Sequence, residues 1–116
     1  MPTVFNEGAH TAEFLLSEGN GQISREQVTI AAAAPAMVAG TVVGKITASG
    51  KYVPYNNSAT DGSEVAAGIL YHAVADAAVD QKATIIARNA EVMGSALTGL
   101  DAPGRADLAA LGIIVR

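Results

Sequence analysis

The stretch TVVGKITASGKYVPY, Thr41 to Tyr55, constrains this chain more than any other. Its β-branched residues Thr41, Val42, Val43, Ile46 and Thr47 favour strand, Ala48-Ser49-Gly50 supplies a turn, and Tyr52 and Val53 make a return. The spacing predicts a β-hairpin, and Pro54, which has no N–H, limits how far the return strand pairs. Upstream, the alanines of AAAAPAMVAG could pass for helix. Pro35 removes a donor and biases Ala34 away from helical backbone, so this segment predicts a connector or a sheet edge. Before it, SREQVTI alternates Val28 and Ile30 about Thr29, the pattern of a half-buried strand beginning near Ser24.

Downstream, Asp61-Gly62 within NNSATDGS predicts a loop, because glycine supplies the positive φ of a tight turn. Strands are expected over Ala66 to Val74 and Lys82 to Arg88, with a polar crossing between them and AEVM as a shorter addition before Gly94. Asp101 can cap a short helix that Pro103 helps to start and Gly112 stops, leaving IIVR as a closing strand. Six or so short strands and one brief helix make the chain mainly β with little α, a small compact barrel or roll.

At 116 residues the chain has room for one domain with a modest core. Alanine contributes 24 residues, against three Tyr, two Phe and no Trp, so Val, Ile and Leu must build that core. Small side chains each bury little area, at about 25 cal/mol per Å², and packing against identical copies would add to it. An oligomer is expected. The net charge of −4, with seven scattered Lys and Arg, argues against nucleic acid, which needs clustered cations. Without cysteine there is neither disulfide nor thiolate metal site, which fits a reducing cytosol. The start MPTVFNEGAH has no basic region followed by an apolar run, and no window approaches the roughly 18 apolar residues of a membrane span. These features predict a soluble protein that is not exported by a signal peptide.

Charge and composition divide the chain unevenly. Residues 1–28 carry Glu7, Glu13, Glu18 and Glu26 against Arg25 alone, and mix Gly and Asn with an isolated Phe-Leu-Leu cluster. They are expected to form an extended N-terminal arm, poorly ordered without a partner, ahead of a β-rich domain over residues 29–116.

Chemistry is harder to find. GTVVGK has three residues between its glycines where a phosphate loop has four, and Ile46 stands where a magnesium-binding hydroxyl is needed. Asn57, Asp61 and Gly62 evoke a calcium loop, but Ala59 and Gly68 occupy ligand positions. Asn56-Asn57-Ser58 is a sequon by pattern only. Asp76 and Asp80 would face one another on a helical turn and could serve a hydrolase, yet no third group is implied. His72 falls in an apolar strand and reads as structural. No Gly-x-Ser-x-Gly elbow is present. The chain is therefore expected to be no enzyme and to need no cofactor or metal. A ligand- or carbohydrate-binding barrel with Tyr52, Tyr55 and Tyr71 as stacking residues is the alternative of another class, although core or subunit contacts are the ordinary fate of such tyrosines.

Taken in order, AHTA (Ala9 to Ala12), SREQVTI, APAMVAGTVVGKI, GKYVPY, DGSEVAAGIL, ATIIARNAEV and LGIIVR resemble the head decoration proteins of lambda-like tailed phages and prophages. The resemblance spans most of the chain. It implies a β-tulip-like fold and a homotrimer on the outer surface of the virion head, made in the bacterial cytoplasm. There it would sit at local three-fold sites of the expanded shell and stabilise it against DNA pressure. The partner implied is the major capsid protein, and no nucleic acid or membrane is involved. Carried over by position, Ala9, His10, Thr11 and Ala12 belong to the capsid-binding arm, and Ser24, Arg25, Glu26, Gln27, Val28, Thr29 and Ile30 to a docking strand. The proline-rich arm and the tryptophan of the best-known member are missing here. An extended segment gains backbone hydrogen bonds at a sheet edge while alternate side chains, here Val28 and Ile30, enter pockets. Removal of residues 1–30 would then leave a folded trimer unable to bind.

Overall fold

The computed structural model describes residues 11–19, 23–32 and 34–116. Among them are eight strands: β1 (Leu15–Glu18), β2 (Arg25–Ile30), β3 (Val42–Lys45), β4 (Tyr52–Pro54), β5 (Ala66–Leu70), β6 (Gln81–Ile86), β7 (Ala90–Val92) and β8 (Ile113–Val115). A 3-10 turn at Gly94–Ala96 and helix α1 (Ala102–Ala110) lie between β7 and β8. Five strands close into a barrel in the order β2-β4-β3-β5-β6, and the other three form a small sheet β1-β7-β8. The mainly β barrel with one short helix is the architecture expected.

Local signals produce most of this. The hairpin forms as predicted, with Val43 opposite Pro54 and Lys45 opposite Tyr52, and Gly50 (φ +71°) at its tip donating its N–H to the Ile46 carbonyl at 2.8 Å. The described residues of the alanine-rich connector make no helix, and Met37 bridges to Val74 instead. Asp101 caps α1 by accepting the Gly104 N–H at 2.7 Å, and Gly112 (φ +79°) turns the chain into β8.

Both faces of one barrel wall are buried, and this makes two cores. Val43, Leu70 and Ile85 point into the barrel with Val28, Ile30, Met37 and Tyr52. Their chain neighbours Val42, Ile69 and Ile86 point out, under Phe14, Val92, Leu108 and Ile113 of the small sheet and helix. Strand alternation sends adjacent residues to opposite faces, so the pairs Val-Val, Ile-Leu and Ile-Ile each serve both cores.

Of the stretch expected as an arm over residues 1–28, the described residues 11–19 and 23–28 pack against the body of the fold. Phe14 is only 1% exposed within the outer core, and β1 pairs antiparallel with β7. β2 pairs with β6 from Arg25–Ile86 to Ile30–Gln81, so a boundary between 28 and 29 would cut a barrel strand. Val28 and Ile30 line the barrel interior at 8% and 1% exposure. Deleting residues 1–30 would remove a barrel wall and the Phe14 anchor rather than a detachable tail. The physical reason is scarcity: a chain with two phenylalanines gains more by burying one in its own core than by leaving it in an arm.

Candidate functional site

Two of the expected contact residues, Ala9 and His10, lie outside the described residues. The others lie along the front of the molecule, and the fold gives them different tasks. Ser24 is fully buried: its hydroxyl accepts the Gly19 N–H and donates to the Asn89 carbonyl, both at 2.7 Å, locking the crossing from β1 to β2. Within the fold it serves as a joint. Val28 and Ile30 belong to the core, leaving Arg25, Glu26, Gln27 and Thr29 as the accessible members of the run.

Arg25 gathers the front end. Its Nε and terminal nitrogen donate to the two oxygens of Glu18 at 3.0 and 2.6 Å, and its guanidinium lies 4.4 Å from the centre of the Tyr71 ring. The hydrogen bond to Glu18 is the main reason that the Arg25 pKa is raised further. Just before β1, Ala12 donates its N–H to the Tyr71 carbonyl at 2.9 Å, with its own backbone at φ +58°. A left-handed alanine costs about 1–2 kcal/mol, and exposed Thr11 precedes it. Tyr71 therefore brings together Thr11–Ala12 and Arg25, which the sequence separates. Sequence reasoning placed Tyr71 only among stacking candidates, since nothing local indicates that β5 ends beside the front of the chain.

Beyond Arg25, Glu26 pairs with Arg88 at 3.1 Å, and Gln27 stands opposite Thr84 on the outward face. Arg25, Glu26, Gln27 and Thr84 line a hollow of about 150 Å³.

The remaining chemical candidates dissolve into structure. GTVVGK runs into strand β3, with no loop to cradle a phosphate. Asp61 accepts the Ser63 hydroxyl and N–H at 2.6 and 3.0 Å, which holds its carboxyl below the usual range while it builds a turn. Asp80 is tied to Lys51 at 2.8 Å and to the Ala32 N–H at 2.8 Å, and these bonds, Lys51 first, lower its pKa. The segment between β5 and β6 has no helical turn, so Asp76 and Asp80 do not form the facing pair weighed above. His72 contacts the Ala73 carbonyl through Nδ1 at 3.0 Å. The tyrosines separate: Tyr52 lies in the barrel core, Tyr55 in the outer core, and Tyr71 beneath Arg25, so they make no common platform. Among the described residues no group of three His, Cys, Asp or Glu could hold a metal, and no helix is long and apolar enough to cross a membrane.

A sequence model of the family described as bacteriophage lambda head decoration protein D matches residues 4–113. No curated protein matches the chain.

Proposed function

We propose, since the chain belongs to the bacteriophage lambda head decoration protein D family, that it binds the outer surface of the expanded phage capsid. In this reading it binds as a homotrimer at local three-fold sites and stabilises the shell against the pressure of packaged DNA. The family match over residues 4–113 carries the proposal. The family is a structural one associated with the capsid, not an enzyme class. Within it, Ala9, His10, Thr11 and Ala12 meet the coat protein together with the accessible side of β2, from Arg25 to Thr29. A single front end binds weakly, because ordering an extended segment costs about 1–2 kcal/mol per residue in backbone entropy. Three on one trimer make the later contacts intramolecular, which raises avidity by about 10² to 10⁴ where the geometry matches. Cementing a shell requires this combination and no reaction.

The test mixes purified protein with undecorated shells before and after expansion and separates bound from free by sedimentation. Expanded shells should bind in multiples of three and resist heat rupture, and unexpanded shells should not bind. Truncation after residue 10, which keeps Phe14 and β1, should weaken binding. An expanded shell that leaves the protein in the supernatant would overturn the reading.

A further inference from the structure

We propose that Asp61–Gly62 is an isoaspartate-forming site, and that the hydrogen bonds of its own turn hold the reaction off while the barrel is folded. The chemistry of the turn is the same whether or not the chain decorates a shell.

Asp61–Gly62 is the one Asp-Gly pair in the chain, and Asp61 is exposed. In such a pair the glycine amide nitrogen can attack Cγ of the preceding protonated carboxyl group, because glycine has no Cβ to hinder the approach. A C–N bond forms, the carboxyl C–O bond breaks, and the hydroxyl leaves as water with the amide proton. Water then opens the five-membered succinimide at either carbonyl. Opening at Cγ restores aspartate. Opening at the main-chain carbonyl leaves isoaspartate, whose chain runs through Cβ and Cγ and is one methylene longer. No oxidant or further reactant is needed.

Ring closure requires freedom of the carboxyl group, the glycine amide and the carbonyl between them, and the turn holds all three. Asp61 Oδ1 accepts the Ser63 hydroxyl at 2.6 Å and the Ser63 N–H at 3.0 Å. These bonds favour the carboxylate and hold Asp61 below the usual range, whereas the reaction uses the acid. The Gly62 N–H donates to Glu64 Oε1 at 2.7 Å. A carboxylate acceptor favours keeping that proton on nitrogen, which withholds the nucleophile. The Asp61 carbonyl accepts the Thr47 N–H at 2.9 Å, pinning the peptide just beyond β3. Ser63, which engages the carboxyl group, is itself only 3% exposed.

The product has no room either. A Cβ on Gly62 would stand 2.6 Å from the Lys45 carbonyl oxygen, and one on Gly44 would stand 2.6 Å from the Ser63 carbonyl oxygen. The backbone of the turn therefore lies directly against β3 and the residues after it, and a chain longer by one methylene would break that packing. Isomerisation requires the turn to lift away first, so local opening sets its rate in the folded protein.

The test ages the full-length protein in mildly acidic buffer, folded and in urea, and counts isoaspartate at residue 61 by peptide mapping. Mapping separates this site from Asn20–Gly21, whose side-chain amide can form the same ring. Folded protein should convert at least about tenfold more slowly than the denatured chain, the scale of one or two hydrogen bonds. Ser63→Ala removes the hydroxyl bond without adding bulk, and Glu64→Ala removes the acceptor of the Gly62 N–H. Each variant, folded by circular dichroism, should convert about three- to tenfold faster than the wild type. Phe14→Ala weakens the outer core and leaves the bonds of the turn in place. At a temperature where it is folded, it should convert at the wild-type rate. Equal rates in buffer and in urea overturn the protection, and no isoaspartate at residue 61 in urea overturns the site. Wild-type rates in both Ser63→Ala and Glu64→Ala, or a Phe14→Ala rate as high as theirs, overturn the role given to the bonds of the turn.

Discussion

Asp101 joins helix and barrel through one oxygen. Its Oδ1 accepts the Gly104 N–H at 2.7 Å as the cap of α1 and the Tyr55 hydroxyl at 2.8 Å from the chain beyond β4. The cap was legible in the sequence, because its signal lies within four residues. Tyr55 as a partner was not, since it stands 46 residues away. Asp101→Ala removes a cap worth about 1 kcal/mol and the acceptor of a part-buried hydroxyl, at a further cost of up to about 1 kcal/mol. Urea denaturation should register a loss of about 1–2 kcal/mol. Burial first, and then the hydrogen bond to Asp101, push the Tyr55 hydroxyl up to about 12. An unfolded tyrosine titrates near 10, so the folded state keeps the proton longer. Its contribution is complete below about pH 10 and is lost as pH rises through about 12. Between those limits the wild-type denaturation midpoint should decline more steeply than that of Tyr55→Phe. Tyr52, also raised chiefly by burial, is common to both proteins and cancels in the comparison.

At the scale of elements, β1 separates a fold with an arm from a fold that uses its front end. The hairpin, the helix and the strand character of SREQVTI follow from turn chemistry, caps and alternation, all of them local. β1 has four residues without alternation, and the Ser17–Glu91 hydrogen bond spans 74 positions. The one local signal was Phe14 itself, a large apolar residue in a chain that has few. For the same reason alternation marked Val28 and Ile30 as one face of β2 without deciding whether that face met a partner or the protein's own core. The pairing of β2 with β6, some 55 positions along the chain, decided it. Phe14→Ala should cost about 3–5 kcal/mol, measured by denaturant unfolding, and a truncation of residues 1–30 should yield no cooperative transition. A Phe14→Ala variant as stable as the wild type would return β1 to the arm.

For the whole molecule, the question is how so light a chain could hold a shell. Its apolar residues are divided between two small cores on either side of one barrel wall, and Leu16 and Ile114 remain about half exposed on the outer face of the small sheet. Further burial between copies would add stability that the monomer lacks. On the decoration reading, the free protein should sediment at three times 11.7 kDa. Its grip on the shell should then depend on how many front ends act together. Mixed trimers, assembled from full-length chains and chains truncated after residue 10, vary that number while leaving the body unchanged. If binding is multivalent, each lost front end should multiply the dissociation rate, with about 10² to 10⁴ separating trimers with three intact ends from trimers with one. Rates that rise only in proportion to the number of ends lost would mean that each subunit binds independently, and that cementing does not depend on the trimer.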